Sequence, residues 1–187
     1  MKKTLLALSM LAAAGLSTSA FAEGTINFKG SVSANTCAID VNNSGAAEGT
    51  VTLVPATTAD LDAAGKWAKR TDFSIKLTGC TAGITTAATY FEPGPDTDLT
   101  TGNLKVADLT NPGSPGAGAA NVQLQLLNKD FSPIDLSQGT AAGQNSKPVT
   151  LAGDAATLEY WVQYVAVAGA AGVGRADSTA KFTMDLM

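Results

Sequence analysis

The sequence predicts an all-β domain. Its runs of alternating apolar and polar residues are short, and Gly, Pro, Asn and Asp separate them. Apolar residues at helical spacing are rare. In the clearest run, Phe73, Ile75 and Leu77 alternate with polar neighbours, which is typical of a strand with one face in a core and the other in water. We therefore expect a layered β structure.

The N-terminus has the form of a secretory signal. Two lysines precede an apolar run at residues 5–16, and residues 20–22 have the sequence Ala-Phe-Ala of a cleavage site. The apolar run is shorter than the roughly 20 residues that a membrane-spanning helix needs. We therefore expect residues 1–22 to be removed, with no membrane span in the remaining chain. Residues 23–187 are sufficient for one domain with a core.

A series of strands is predicted after this signal, separated by turn-forming residues. The strands cover residues 26–32, 36–41, 49–54, 71–77, 85–91, 121–127, 149–151, 157–167 and 179–186. A weak helical pattern at 58–68 is interrupted by Gly65. The stretch 92–120 is rich in Pro, Gly and Asp, so it is predicted to be a surface loop with at most a short strand at 104–106.

Charge and cysteine content narrow the possible functions. The chain has 12 Lys and Arg against 16 Asp and Glu, a formal net charge of −4, and no basic stripe. A nucleic-acid partner is therefore not expected, since phosphate binding needs clustered basic residues. The two cysteines are Cys37 and Cys80. In an exported protein an even number of cysteines favours a disulfide over a metal pair or two free thiols.

No pattern indicates an enzyme or a cofactor site. The chain has no histidine, which removes the usual general base and the commonest zinc ligand. Asp96 and Asp98, with Glu92 nearby, could gather a calcium ion, but a loop of turn-forming aspartates is favoured. Trp161 should point outward and pack against a neighbouring molecule, bind a sugar or remain a partly covered surface ring. Trp67 is expected to pack on a loop.

The two ends of the exported chain show the same alternation. Apolar residues occupy every second position at Ile26, Phe28 and Val32 near the start and at Phe182, Met184 and Leu186 at the end. At the first end, Gly30 takes the place of a fourth apolar side chain. Both segments could be ordinary edge strands of a closed sandwich. The alternative is that the first segment is donated to another molecule and completes its sheet.

Several segments carry a family resemblance that covers essentially the whole exported chain. They are GTINFKGSVSANTCAID from Gly24, FSIKLTGC ending at Cys80, NVQLQLLNKD from Asn121, LEYWVQY from Leu158 and RADSTAKFTMDL near the end. Their order, the placement of the cysteines and Gly174, the fourteenth residue from the end, complete the pattern. With these features the sequence resembles the structural pilins of the chaperone-usher class and is close to type 1 fimbrial major subunits.

The resemblance implies an incomplete immunoglobulin-like β-sandwich that lacks its last strand. Residues 23–33 would form an N-terminal donor extension and residues 34–187 the pilin domain. A Cys37–Cys80 disulfide would tie the first strand of the domain to the sheet. A groove beside the C-terminal strand would bind a periplasmic chaperone, and the extension of the next subunit would replace the chaperone at the outer-membrane usher.

Roles for single residues follow from the same resemblance. Phe182, Met184 and Leu186 would line the groove and meet the chaperone. The side chains that fill the groove of a neighbour would be Ile26, Phe28 and Val32, with Gly30 at a position that the family keeps small. Such subunits usually have a tyrosine at the penultimate position, where this chain has Leu186, so the phenol hydroxyl is missing.

The implied function is structural. The protein would be a non-enzymatic subunit, without a cofactor, of a fimbria on the surface of a Gram-negative bacterium. It would polymerise with identical or related subunits and support cell adhesion. A small outer-membrane β-barrel is the alternative, because export, length and β content fit it too. Regular lipid-facing segments of about ten residues with flanking aromatic girdles are not found, which favours the pilin.

Overall fold

The structure is a computed structural model that describes residues 36–107 and 118–187. In these ranges the chain forms a series of β-strands, as predicted for an all-β protein. They are β1 (Ala38–Val41), β2 (Trp67–Thr78), β3 (Thr86–Glu92), β4 (Thr97–Asp98), β5 (Asn103–Lys105), β6 (Val122–Asn128), β7 (Val149–Thr150), β8 (Ala156–Ala166) and β9 (Lys181–Leu186). The same ranges contain no helix that is long and apolar enough to cross a membrane.

The larger sheet has the strand order β1-β2-β8-β6-β5-β4, and all neighbouring strands are antiparallel. At its centre β2 pairs with β8, with Phe73 opposite Tyr160 and Ile75 opposite Leu158. Ile75 and Leu158 are fully buried, and the residues that alternate with them face outward. The alternation in the sequence therefore gives the correct inward face for both strands.

The smaller sheet has the order β7-β3-β9 and shares one core with the larger sheet. Tyr160 of β8 joins the two. Its ring meets Phe91 of β3 edge to face with the ring centroids 5.5 Å apart, and its hydroxyl donates to Thr89 Oγ1 at 2.9 Å. Burial raises the pKa of the Tyr160 hydroxyl, which keeps it protonated and able to donate this bond. The two sheets thus form a sandwich.

The predicted disulfide is present between Cys37 and Cys80. It joins the residue before β1 to the segment that follows β2. Beside it, Thr36 and Thr81 form a short bridge, because the Thr81 amide donates to the Thr36 carbonyl oxygen at 2.9 Å and the Thr36 amide donates to Thr81 Oγ1 at 3.1 Å. The start of β1 is therefore held to the end of β2 by covalent and hydrogen bonds together.

Most strand predictions are confirmed, with ends shifted by a few residues, and three details are wrong. The weak helix at 58–68 does not form, since Gly65 has a φ of 82° and β2 already begins at Trp67. The segment 49–54 is extended and alternates in burial but joins no ladder. The pair of β4 with β5 lies in the region 92–120, which was predicted to hold at most one strand. The predicted strand at 26–32 is outside the described residues.

Gly174 lies where two segments of backbone come very close. A Cβ atom added there would be 2.5 Å from the Ala119 nitrogen and 2.7 Å from the Gly118 carbonyl carbon. The amide of Ala119 donates to the Arg175 carbonyl oxygen at 2.7 Å, so this contact is part of a hydrogen-bonded bridge. Only glycine fits at position 174 without displacing this backbone.

We expect the double variant Cys37→Ser, Cys80→Ser to be less stable by about 4 kcal/mol, because the bridge closes a loop and removes entropy from the unfolded chain. The two cysteines are 43 residues apart. Urea unfolding of the variant and of the native chain in the same assembly state measures the difference. The native chain treated with reductant is the control and should match the variant. Equal unfolding midpoints for the oxidised native chain and the variant would contradict the expectation.

A second prediction concerns the close backbone contact. Gly174→Ala should lower the free energy of unfolding by about 1–3 kcal/mol, because the added methyl group overpacks the Gly118–Ala119 backbone. Gly139→Ala is the matched control, since a Cβ atom at Gly139 has no atom within 4 Å. Unfolding experiments on both variants compare the two sites. If the two substitutions cost the same, close packing is not the reason for glycine at 174.

Candidate functional site

The C-terminal strand β9 lies at an edge of the smaller sheet. It pairs with β3 on one side, with Phe182 opposite Phe91 and Met184 opposite Thr89. No described strand pairs with its other side. An unpaired edge is a template for another strand, and most proteins shield such edges. This edge is the candidate site.

The backbone groups that face outward from β9 belong to Phe182, Met184 and Leu186. Met187 and Thr86 exchange two backbone hydrogen bonds of 2.9 Å, so their pair is a hydrogen-bonded one. In an antiparallel ladder such pairs alternate with pairs whose N–H and C=O groups point away from the partner strand. Asp185, Thr183 and Lys181 therefore also direct their backbone groups toward β3. The residues that alternate with them, Leu186, Met184 and Phe182, direct their N–H and C=O groups toward the open side of β9.

The same three residues carry the apolar side chains of β9. They are half-buried and pack against the core, whereas Lys181, Thr183 and Asp185 between them are exposed. Met184 is also linked to the centre of the sandwich, because the Thr89 hydroxyl lies 3.7 Å from its sulfur and accepts the bond from Tyr160. A strand added to this edge would therefore meet unpaired backbone and partly uncovered apolar surface at the same positions.

The opposite edge of the smaller sheet is closed. There β7 pairs with β3 only at Thr86 and Ala87. Farther along β3, the side chain of Gln144 takes the place of a strand. Its Oε1 accepts the Phe91 amide at 3.0 Å, and its Nε2 donates to the Phe91 carbonyl oxygen at 2.6 Å. Gln144 is completely buried. Sequence analysis missed this residue, because one glutamine in a polar loop leaves no periodic signal.

A second unpaired stretch follows β1. After the loop at 42–48 the chain continues through the extended segment 49–56, where Val51, Leu53 and Ala56 are half-buried and pack on the same core as β9. Its backbone bonds go to side chains: Asn42 Nδ2 donates to the Thr50 carbonyl oxygen at 3.1 Å, and the Val54 amide donates to Thr71 Oγ1 at 3.3 Å. This segment has strand-like alternation without a strand partner among the described residues.

The remaining candidate residues fall into two groups. Ile26, Phe28, Gly30 and Val32 lie outside the described residues. The acidic loop is part of the β4–β5 turn, in which Asp98 accepts hydrogen bonds from the Thr100 amide and from Gln123 Nε2. These bonds lower the pKa of the Asp98 carboxyl. In the described ranges no cluster of three or more possible ligand side chains could hold a metal ion.

Comparison with known proteins agrees, over most of the chain, with the resemblance to type 1 fimbrial subunits. The family model described as "Type-1 fimbrial protein, A" matches residues 53–186. The major fimbrial subunit SMF-1 of Stenotrophomonas maltophilia is 43% identical over 178 residues, which cover 94% of this chain and 98% of that protein. The F17 fimbrial protein of Escherichia coli is 38% identical, with 98% of each chain covered.

Solved structures show the same fold at lower identity. A type I fimbria protein of Burkholderia pseudomallei superposes with a TM-score of 0.54 and 22% identity, covering 81% of this chain and 94% of that one. A subunit from the structure of a chaperone-usher pilus gives a TM-score of 0.56 and 20% identity, covering 89% and 96%. The chain belongs to the type-1 fimbrial protein A family, and it is a structural subunit of a fimbria on the surface of a Gram-negative bacterium.

Proposed function

We propose that the subunit polymerises by donor-strand exchange, in which residues 23–33 of one copy pair with the open edge of β9 in the next. One observation supports this proposal. Phe182, Met184 and Leu186 have both outward-facing backbone groups and half-buried apolar side chains. β-Augmentation uses both, since the backbone gives affinity and alternate side-chain pockets give specificity. Residues 34–187 form the accepting pilin domain in this proposal.

The donor segment has the complementary pattern. Ile26, Phe28 and Val32 have the spacing of one strand face, which matches the two-residue repeat along β9. Complete burial of each such side chain contributes about 1.5–3 kcal/mol, and each backbone hydrogen bond adds about 1 kcal/mol net. Gly30 interrupts the apolar face, so we assign it to the place where the acceptor leaves least room.

The segment 49–56, described above, is the proposed second side of the acceptor groove, opposite β9. Val51 and Leu53 pack on the same core as Phe182 and Met184, and the backbone between them has no strand partner in the described ranges. A donated strand bound between this segment and β9 would pair on both of its sides. It would then be a central strand of the sandwich, which explains how a short segment could hold two subunits together.

The open edge of β9 implies two further partners, because an uncovered strand edge can aggregate. Before assembly the exposed apolar edge would pair with any available strand, so the exported subunit needs a cover. We propose a periplasmic chaperone as that cover and an outer-membrane usher as the place where the donor segment replaces it. The structural similarity to a subunit of a chaperone-usher pilus supports this assignment. The contact joins two different surfaces, so it repeats without closing and yields a filament.

The acceptor is tested by Met184→Lys. We expect no fibres, because a charge would enter the apolar face that the donor segment must cover. The matched control is Thr183→Lys, which places the same charge on the exposed face of the same strand. Both variants are expressed with chaperone and usher, and fibres are counted by electron microscopy. Normal fibres from Met184→Lys, or equal loss from both variants, would contradict the acceptor role of β9.

The donor is tested by Phe28→Asp with Lys29→Asp as its control. Phe28→Asp should leave the chaperone complex intact and abolish fibres, because the variant accepts a strand but cannot donate one. Lys29 is the next residue in the sequence, so on a donated strand its side chain would face away from the groove, and its substitution should allow fibres. Periplasmic complexes are measured by copurification and fibres by electron microscopy. Wild-type fibre lengths from Phe28→Asp would refute donation by this segment.

A further inference from the structure

A cluster of aromatic rings and one arginine lies on the outer face of the larger sheet. The guanidinium carbon of Arg70 is 4.0 Å from the ring centroid of Trp67 and 4.3 Å from that of Phe131. The Phe131 ring in turn packs on Trp161, with the centroids 5.2 Å apart. We call these four residues the arginine–aromatic cluster. It faces away from the core, because Trp161 lies between the buried side chains of its strand neighbours.

The cluster is more exposed than structural packing requires. Trp67 is 51% exposed and Phe131 is 43% exposed, and both are among the large apolar side chains that the fold leaves in water. Trp161 points outward as the sequence predicted, and Trp67 is the first residue of β2. Contiguous apolar surface beside a polar group is typical of binding sites. The proposed pairing of a donor strand with β9 does not use this surface.

The backbone holds the cluster in a specific arrangement. A bulge between Ala68 and Thr71 shifts the register of β2 against β8 and turns Arg70 toward the rings. Lys69 in the bulge has a φ of 54°, and Phe131 has a φ of 66°. Left-handed backbone at residues other than glycine costs about 1–3 kcal/mol and is concentrated at functional sites. One of these two residues, Lys69, precedes Arg70 in the chain, and the other, Phe131, packs its ring against the Arg70 guanidinium.

A buried amide fixes the direction of the guanidinium. Arg70 Nε donates to Gln163 Oε1 at 2.9 Å, and Gln163 Nε2 donates to Gln125 Oε1 at 2.9 Å. Gln163 is only 5% exposed. Within residues 36–107 and 118–187, the two Nη groups of Arg70 have no hydrogen-bond or ion-pair partner. The guanidinium is thus oriented by the rings of Trp67 and Phe131 and by the hydrogen bond of its Nε to Gln163, while the N–H donors of its two Nη groups remain available.

The chemistry of the cluster selects its ligand. Two parallel N–H donors of a guanidinium match a carboxylate, which binds them as a bidentate pair. The part of the Trp67 ring that is exposed to water carries the negative side of the ring quadrupole, which attracts the weakly positive C–H face of a sugar ring. An aspartate or glutamate side chain offers the carboxylate without such a face, and a neutral sugar offers the face without the carboxylate.

We propose that the arginine–aromatic cluster is a binding site for a carboxylated sugar, such as a terminal sialic or uronic acid. Arg70 pairs with the carboxylate, and Trp67 stacks on the ring. This inference goes beyond the proposed assembly reaction, since the cluster and the β9 edge belong to different sheets. Every subunit carries one copy of the site, so a fibre would present it repeatedly and gain avidity for glycan-bearing surfaces.

The test uses purified fibres of the full chain with sialyllactose and lactose as probes, and tryptophan fluorescence and saturation-transfer NMR as readouts. We expect saturable binding of sialyllactose with at least about tenfold preference over lactose, because only the acidic sugar makes the bidentate pair. Equal binding of both sugars, or no saturable binding of sialyllactose, would overturn the proposal.

Variants assign the effect to the cluster. Arg70→Gln and Trp67→Ala should each weaken sialyllactose binding about tenfold or more, and Arg70→Lys should weaken it too, since it keeps the charge but loses the fork. The matched control is Lys76→Gln, which removes a charge from an exposed position on the same strand and should bind like the wild type.

Assembly is measured separately in each variant by electron microscopy, so a failure of fibre formation is distinguished from a failure of sugar binding. If Arg70→Gln forms no fibres, Trp67→Ala and Arg70→Lys carry the test. Unchanged affinity in the variants that assemble would overturn the proposal. The same holds if Arg70→Gln alters only the bundling of fibres, because the cluster would then be a contact between copies of this chain.

Discussion

The outer edge of β9, which no strand in the described ranges covers, is the main constraint on what this subunit can bind. On β9 the outward backbone groups and the half-buried apolar side chains belong to the same residues, Phe182, Met184 and Leu186. Covering only the side chains would leave the peptide groups unpaired, and a single helix could not pair them. The complete partner for this edge is another β-strand. The fold therefore specifies the shape of its partner more narrowly than an apolar patch would.

The other edges of the sandwich show how the same fold avoids unwanted pairing. On β3 the buried side chain of Gln144 bonds both the N–H and the C=O of Phe91, which fills one position of the ladder without a strand. At the end of β1, the Val41 amide donates to the Ala46 carbonyl oxygen at 2.8 Å, so the loop at 42–48 folds back on that edge. These two contacts cover part of the backbone of β3 and β1, whereas no described strand or loop covers the outer side of β9 in this way.

Local sequence patterns predicted the elements but not the contacts between distant segments. Alternation gave the inward faces of β2, β8 and β9, because a half-buried strand needs apolar residues at every second position. The weak helical pattern at 58–68 does not give a helix, because Gly65 is left-handed and Trp67 and Ala68 already pair with β8. Two contacts could not be predicted from local patterns: the pairing of Gln144 with the Phe91 backbone and the packing of Phe131 on Arg70. Each depends on a loop that the completed sandwich brings close to a distant strand. The residue pattern allowed the C-terminal segment to be an edge strand, but a binding groove beside it was predicted only through the family resemblance.

The position of the disulfide has a mechanical consequence. If residues 23–33 join one subunit to the next, as proposed, tension would enter each domain at its N-terminal side. Without a bridge that force would act first on β1, a four-residue edge strand that pairs only with β2 among the described strands. Cys37 precedes β1 and is bonded to Cys80 beyond the end of β2. In the proposed fibre the load would therefore pass to the body of the sheet through a covalent link, and the short strand β1 would be kept out of the load path.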